Sequence, residues 1–142
     1  MIESPSFSVP PGFALDHVGI AVAHLEDASV PWTALGLPII DTEVLEHEGV
    51  AVRFLDLGTS RLELIAPLHY ASPISRFLEK RGPGLHHVAF RVPNIMDSLE
   101  ELKTQGAGLL NEQPRPGWRD SQVAFVHPSW AGGVLIELVQ PA

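Results

Sequence analysis

The stretch 15-LDHVGIAVAHLEDASVPWTALGLPII-40 is matched, at a constant offset further along the chain, by 85-LHHVAFRVPNIMDSLEELKTQGAGLL-110. The match brings His17 into register with His87. Apolar residues coincide as well, in the pairs Leu15 and Leu85, Val18 and Val88, Ile20 and Phe90, Val22 and Val92, and Leu25 and Ile95. Self-similarity at a fixed spacing indicates that one supersecondary unit has been duplicated. The repeat therefore predicts two related units, whose equivalent histidines converge if the units pack symmetrically.

The composition is that of a folded domain. The chain has 142 residues, of which 45% are hydrophobic and 18% charged, and these values favour one compact domain over a disordered chain. There is no cysteine, so nitrogen and oxygen atoms are the donors available to a metal ion. The chain contains no apolar run of roughly 20 residues and no signal-peptide pattern, and we therefore expect a cytoplasmic protein.

The charge of the chain limits its partners. Nine Lys and Arg stand against 17 Asp and Glu, a formal charge of −8, which argues against nucleic acid or an anionic membrane as the partner. Two local groups of basic residues run against this trend. They are Arg115 with Arg119, and Arg76 with Lys80 and Arg81. Both solvated surface charge and a site for a phosphorylated small molecule are consistent with these groups.

Residues 1–13 contain three Pro and three Ser and are predicted to be a tail, with a single domain over residues 14–142. The first module, about 15–68, is predicted to begin with a strand, followed by a helix from Leu25 to Leu35 that ends at Gly36. Pro31 predicts either an irregular first turn or a kink in this helix. Three strands follow, with turn signals between them. The predicted strands of this module are 15–22, 39–45, 50–57 and 61–66.

A linker helix at 72–82 is predicted from Ser72 at its N-cap, Pro73 at its first position and Gly82 after its end. The second module, about 85–140, repeats the order of the first, and Asn94 caps its helix. Its predicted strands are 85–92, one near Leu109, 122–127 and 133–139. The fold class is therefore α+β, with two tandem βαβββ modules.

Neighbouring histidines in a strand point to opposite faces, so His86 and His87 are not expected to reach one cavity together. The repeat selects His87, because His87 is the residue that matches His17. The same alternation predicts that Asp16 and His86 face the other side. A hydrogen-bonded core residue is the alternative role for each histidine.

One carboxylate lies in each of the apolar segments 61-RLELIA-66 and 133-GVLIELV-139, namely Glu63 and Glu137. A carboxylate on a buried strand is costly to desolvate unless it is paired or binds a metal. Glu63 and Glu137 are three residues further apart in the chain than Phe54 and Phe125, which occupy the preceding strands. The loop between the last two strands is therefore three residues longer in the second module than in the first. A salt bridge at a sheet edge is the alternative role for these carboxylates.

Together, His17, Glu63, His87 and Glu137 form a set of two imidazoles and two carboxylates. Such a set suits a divalent first-row ion such as Co, Ni, Mn, Fe or Zn. An octahedral ion would keep two positions open for substrate, as catalytic metal sites do.

The chain resembles the vicinal-oxygen-chelate (glyoxalase and bleomycin-resistance) superfamily and, within it, the methylmalonyl-CoA epimerase family. The resemblance covers residues 15–140. It depends most on 72-SPISRFLEKRGPGLHHVAFRV-92 and 125-FVHPSWAGGVLIEL-138, with 15-LDHVGIAV-22, 63-ELIAPL-68 and 112-EQPRPG-117 in support. The resemblance implies an open U-shaped mixed sheet around a metal ion, for which cobalt is the first candidate and the same four residues are the ligands. It also implies an acyl-CoA thioester substrate and a homodimer.

The implied reaction is epimerisation at C2 of methylmalonyl-CoA through an enolate, which requires an acid/base group on each face of C2. The resemblance suggests Glu137 for one face and an acidic residue of 46-EHEGV-50 for the other. The chain has His47 where Glu is expected, with Glu46 and Glu48 on either side. These three residues are the alternatives, and we select Glu48. At positions 118 and 119 the chain has Trp and Arg, where relatives tend to carry small residues. At position 129 it has Ser, where relatives commonly carry Lys.

Three other functions use related folds. A glyoxalase I-type lactoylglutathione lyase has a similar ligand set, but its final hairpin is typically of the Asp-Pro-Asp-Gly type and not HPSWAGG. Extradiol dioxygenases generally have longer chains. A bleomycin-resistance-like binding module commonly lacks the four ligands.

Overall fold

The protein's structure, a computed structural model, describes residues 8–142. The first part of the predicted tail, residues 1–7, lies outside the described residues. Residues 8–13 form neither helix nor strand, and the Phe13 ring stacks on Phe90 with 5.3 Å between centroids. None of the helices within residues 8–142 has both the length and the hydropathy that crossing a bilayer would need.

Both halves of the chain follow the predicted order. The first half comprises β1 (Ala14–Ala21), α1 (Leu25–Ala34), β2 (Ile39–Leu45), β3 (Val50–Asp56) and β4 (Arg61–Pro67). The linker helix is α2 (Pro73–Arg81). The second half comprises β5 (Gly84–Arg91), α3 (Ile95–Thr104), β6 (Arg115–Pro116), β7 (Gln122–Val126) and β8 (Ile136–Gln140). Short 3₁₀ turns lie at Glu46–Glu48 and Trp118–Asp120.

The eight strands form one curled sheet in the order β2-β3-β4-β1-β5-β8-β7-β6, an open half-barrel. The first strands of the two halves, β1 and β5, pair antiparallel at its centre. The last strand of each half runs parallel to the first strand of the same half, β4 beside β1 and β8 beside β5. The two halves are thus equivalent about the β1–β5 pair, which is the symmetry that the repeat requires.

Alternation along the strands divides core from cavity. On the convex face, Leu62 and Leu64 of β4 pack under α1, and Ala124 and Leu138 pack under α3. Intervening residues line a cavity of about 760 Å³ on the concave face, among them Glu63 of β4. The last strand of each half, β4 or β8, therefore directs its carboxylate away from the helices and into the cavity.

The helix ends follow the predicted caps. The Ser72 hydroxyl oxygen accepts a hydrogen bond from the Ile74 backbone N–H at 3.2 Å, and the Asn94 side chain accepts one from Asp97 N–H at 3.0 Å. Helix α1 includes Pro31 without a break, and its first turn is regular, with Ala28 N–H bonded to the His24 carbonyl at 3.1 Å. Pro31 therefore removes one backbone hydrogen bond from α1 without ending the helix.

The prediction of a strand near Leu109 is wrong. Leu109 makes a single bridge to Val126, and the strand on the outer side of β7, opposite β8, is the two-residue β6. The reason lies in 106-GAGLLNEQPRPG-117, because proline cannot donate to a ladder and glycine weakens an extended segment. Strand β8 also begins later than predicted, since Gly132 and Gly133 adopt positive φ values of 69° and 101° in the preceding turn.

Candidate metal centre

Two bulges in the central strand pair shape the site. Across β1 and β5, Leu15 pairs with Phe90 and His17 with Ala89, which leaves Asp16 unpaired. Further along, Gly19 pairs with His87 and Ile20 with Leu85, which leaves His86 unpaired. Asp16 and His86 occupy equivalent places in the repeat.

The bulges overturn one prediction. Asp16 and His86 do not face away from the site, because both line the same cavity as His17 and His87. Simple alternation fails at a bulge, where one extra residue shifts the direction of its neighbours. The site therefore contains two residues more than period-two alternation predicts.

The four predicted ligands lie in two equivalent rows across the sheet. In one row, Gly19 of β1 is flanked by Glu63 and His87 on the neighbouring strands. In the other row, Ala89 of β5 is flanked by His17 and Glu137. In each row, a histidine from one half of the chain and a carboxylate from the other half lie on either side of a small residue.

Gly19 has a steric role. A Cβ atom at this position would overlap the Cε1 and Nδ1 atoms of His87, far inside van der Waals contact. The His87 ring therefore lies across the backbone of β1, where only glycine leaves room for it.

The imidazoles meet at the bottom of the cavity. His17 Nε2 lies 2.9 Å from His87 Nε2, and Glu137 Oε1 lies 3.3 Å from the latter and 3.6 Å from the former. Donor atoms of His17, Glu63 and His87 also lie within 4.8 Å of one another. All four side chains are buried.

Asp16 and Arg61 hold the other side of His17. Asp16 Oδ2 accepts a hydrogen bond from His17 Nδ1 at 2.7 Å, and Arg61 Nη2 donates to the same oxygen at 3.0 Å. Arg61 Nη2 also donates to Glu63 Oε2 at 3.0 Å. Arg91 lies near the second Asp16 oxygen, at 3.3 Å. Two guanidinium groups thus offset the negative charge beside the candidate ligands.

The pKa values follow from this arrangement. Burial by itself lowers the pKa of His17, but bonding to Asp16 and Glu137 and the charge of Glu63 raise that pKa to about 9. Burial lowers the pKa of His87 well below its ordinary value, and the charge of His17 lowers it further. His87 is therefore neutral, the form that binds metals.

Burial also raises the pKa of Glu63, an effect that the charge of His17 opposes. Burial acts in the same direction on Asp16, but the hydrogen bond with His17 and the charge of Arg61 bring the pKa of that carboxyl below its ordinary value. Asp16 is therefore the carboxylate that accepts the Nδ1–H of His17, which leaves His17 Nε2 directed at His87 and Glu137. Glu63 lies on the other side of the ring, with its Oε2 3.1 Å from His17 Nδ1.

Three of the four candidate ligands, His17, His87 and Glu137, have donor atoms spaced as around a divalent metal ion. Bonds of about 2.1 Å to an octahedral ion place neighbouring donors about 3 Å apart. The spacings of 2.9, 3.3 and 3.6 Å among His17, His87 and Glu137 are close to that value. The hydrogen bond from His17 Nδ1 to a carboxylate is the arrangement that commonly orients a metal-binding histidine.

Trp118 connects the second half of the chain to this centre. Its indole N–H donates to Asp41 Oδ2 at 2.9 Å, and its ring stacks on Phe54 with 4.3 Å between centroids. The Arg61 guanidinium carbon lies 4.4 Å from the indole centroid. The following residues, Arg119 and Asp120, have φ values of 51° and 62°, so the loop turns sharply after the indole.

The three alternatives in the 46–48 turn are placed differently. Glu48 is half-buried and lines the cavity, and Arg115 Nη1 lies 3.8 Å from its Oε1. His47 lines the cavity but is largely exposed, whereas Glu46 is exposed and not among the lining residues. The structure thus brings Glu48, but not Glu46, into the wall of the cavity.

Asp16 and Arg61 are the site residues that sequence reasoning missed. Asp16 did carry a signal, since a charged residue next to His17 within an apolar strand is costly to bury unless it has a partner. Arg61 follows the predicted turn at 58–60 and looked like an ordinary strand-end residue.

The model of the Glyoxalase/Bleomycin resistance protein/Dioxygenase superfamily matches residues 16–125, and the chain belongs to that superfamily. Mitochondrial methylmalonyl-CoA epimerase of Bos taurus is 40% identical over 128 residues, which span 89% of this chain and 73% of that protein. The chain is therefore a member of the methylmalonyl-CoA epimerase family, and the resemblance seen in the sequence is confirmed.

Solved structures agree. The crystal structure of methylmalonyl-CoA epimerase from Mycobacterium tuberculosis is 41% identical with a TM-score of 0.85, covering 90% of this chain and 87% of that one. A variant of the Streptomyces coelicolor epimerase in complex with 2-nitronate-propionyl-CoA is 33% identical with a TM-score of 0.85, covering 90% and 96%.

Proposed function

We propose that the protein is a metal-dependent isomerase that epimerises methylmalonyl-CoA at C2 through an enolate. The observation that supports it best is the convergence of His17, Glu63, His87 and Glu137 at the bottom of one cavity, in a chain related to epimerases of this substrate. A divalent ion bound by these residues would act as a Lewis acid and stabilise the developing negative charge. Cobalt is the first candidate for this ion, and Ni, Mn, Zn and Fe are the alternatives.

Proton transfer requires one group on each face of C2. We assign Glu137 to one face, because its carboxylate is buried among the histidines at the cavity floor. We assign Glu48 to the other face, because it lines the same cavity from the β2–β3 turn. One carboxylate takes the C2 proton, and the other group, in its acid form, returns a proton to the opposite face, so that the reaction is balanced.

Exchange with deuterated water tests the proposal. Metal-loaded protein is incubated with a single epimer of methylmalonyl-CoA, and deuterium at C2 is measured together with the appearance of the other epimer. We expect both. Absence of both would refute the proposed function, and formation of lactoylglutathione from methylglyoxal and glutathione would favour the lyase instead.

Two variants test the assignment of the bases. Glu48→Gln should lower the rate of epimerisation by about 100-fold or more, the usual effect of removing a positioned acid/base group. This variant should still exchange the C2 proton of the one epimer that faces Glu137. The matched control is Glu46→Gln, which changes an exposed carboxylate of the same turn and should leave the rate unchanged. A slow Glu46→Gln with a normal Glu48→Gln would transfer the role to Glu46.

A further inference from the structure

A second cavity, of about 290 Å³, lies beside linker helix α2 and the turn that precedes β8. Its wall includes Arg76, Lys80 and Arg81, three of the nine basic residues of a chain with a net charge of −8. Lys80 follows Arg76 by four residues, so these two are neighbours on one side of α2. Arg81 is the last residue of the helix and lines the same cavity. The cavity thus concentrates positive charge in an acidic chain.

These three cations form no ion pair within residues 8–142. In that part of the chain, Arg53, Arg61, Arg91, Lys103 and Arg115 each have an acidic side chain within 4.0 Å. Arg76, Lys80 and Arg81 have none there, and neither does Arg119, which lies in the Trp118 loop. All three side chains are exposed. Since acidic residues outnumber basic ones almost two to one, three unpaired neighbouring cations point to an anionic ligand.

His86 connects this cavity to the candidate metal centre. It lines both cavities, and it is the bulged neighbour of His87. Its ring packs against Phe77 of α2, with 5.0 Å between centroids. A ligand whose reactive end lies at the metal centre therefore has its other end within reach of the basic side of α2.

We propose that Arg76, Lys80 and Arg81 bind the phosphate groups of the CoA nucleotide. This inference rests on the proposed function, because a CoA thioester is the substrate that carries both a reactive acyl end and a distant polyanion. Arginine binds phosphate through paired N–H donors and lysine through its point charge, so the chemistry of the three side chains matches this ligand.

Charge reversal with two substrates tests the site. Lys80→Glu and Arg81→Glu are each compared with Lys103→Glu, which makes the same charge change in the last turn of α3, outside both cavities. The substrates are methylmalonyl-CoA and methylmalonyl-pantetheine, which lacks the nucleotide. The Kd of free CoA is measured by calorimetry.

For Lys80→Glu and Arg81→Glu we expect KM for methylmalonyl-CoA and Kd for CoA to rise about tenfold or more, as for the loss of one charge-assisted phosphate contact. Their kcat should not change, and neither should KM for the pantetheine thioester. Lys103→Glu should resemble the unmodified protein. An equal effect on both thioesters, or an unchanged Kd for CoA, would overturn the proposed phosphate site.

The two proposals fail in different ways. A protein that binds CoA through Lys80 and Arg81 but turns over neither thioester retains the phosphate site and loses the proposed function. A protein that epimerises both thioesters, with CoA affinity unchanged in the variants, retains the function and loses the phosphate site.

Discussion

Asp16 is the buried carboxylate that bonds to the candidate ligand His17. It is 2% exposed, accepts a hydrogen bond from His17 Nδ1 and is flanked by Arg61 and Arg91. A carboxylate at this position fixes the imidazole tautomer and ring orientation, so that Nε2 is available toward His87. We therefore regard Asp16 as a positioning residue for the candidate ligand His17.

Asp16→Asn should weaken metal binding by about 10- to 100-fold, the usual effect of losing the carboxylate partner of a metal-binding histidine. The measurement is the metal Kd by competition with a chelator, together with the visible spectrum of the cobalt-loaded protein. Asp97→Asn, an exposed change in the first turn of α3, is the control. An unchanged Kd in Asp16→Asn would show that the hydrogen bond has no orienting role.

The raised pKa of His17 predicts the pH dependence of stability in chelator-treated protein. The pKa is about 9 in the folded protein, against an ordinary value of 6.5. Because the folded state binds this proton more tightly, the stabilisation is complete below pH 6.5 and is lost as pH rises to about 9.

Urea unfolding at pH 6 and at pH 9.5 measures this effect. We expect the free energy of unfolding to fall by up to about 3 kcal/mol between the two values, from 1.36 kcal/mol for each unit of pKa. His17→Asn removes the titrating group and should flatten this part of the profile. A wild-type profile as flat as that of His17→Asn would contradict the prediction.

At the scale of elements, the central pair β1–β5 does most to build the site. It carries both histidines, both bulged residues and the two small residues, Gly19 and Ala89, that separate each histidine from a carboxylate. Neighbouring strands β4 and β8 add the carboxylates by parallel pairing. The centre is therefore a property of strand register, and changes in the backbone of β1 should act on it directly.

Gly19→Ala should weaken metal binding by about tenfold or more, because the new methyl group meets the His87 ring and displaces it. Gly108→Ala is a matched control. Its Cβ would have only an ordinary contact, 3.4 Å from His127 Cβ, and its φ is not in the left-handed region. Metal Kd and melting temperature are compared for both variants. Equal metal affinity in the two would show that the His87 ring has another place to go.

At the scale of the whole molecule, the loop around Trp118 joins the two halves across the mouth of the sheet. Trp118 belongs to the second half, but its partners Asp41, Phe54 and Arg61 all belong to the first. The same Arg61 bonds to Asp16 and Glu63. Packing between the halves is thus connected to the charges that surround the candidate ligands.

Trp118→Ala should lower the free energy of unfolding by about 2 kcal/mol, since the indole is half-buried and the loss is smaller than for a core aromatic residue. Trp130→Ala is the control, because Trp130 is 43% exposed and a surface change usually costs under about 0.5 kcal/mol. Urea unfolding measures both. Equal losses would mean that the loop does not hold the halves together.

The homodimer stays a prediction at this scale. Sedimentation equilibrium of the full chain would test it, and a monomer at micromolar concentration would refute it. The position of the N-terminal segment 1–7 lies outside the described residues, so no role in a dimer is assigned to it.

The sequence by itself determined the duplicated βαβββ order, the caps Ser72 and Asn94, and four residues that the structure brings together. Repeats, caps and apolar periodicity are local signals, and each can be recognised without knowledge of distant contacts. The choice of His87 over His86 also came from the repeat. The prolines and glycines of 106–117 are also a local signal, and they indicate that the strand there is short. The expectation that the second half repeats the strands of the first half outweighed this signal.

Only the tertiary structure decided which other residues join the centre. Asp16 and His86 enter the cavity because both are bulged out of the β1–β5 register, and register depends on how two strands that are distant in the chain meet. Arg61 and Trp118 meet because the sheet curls and returns the second half over the first. Such contacts depend on the summed geometry of many strands, and strand alternation alone does not reveal them.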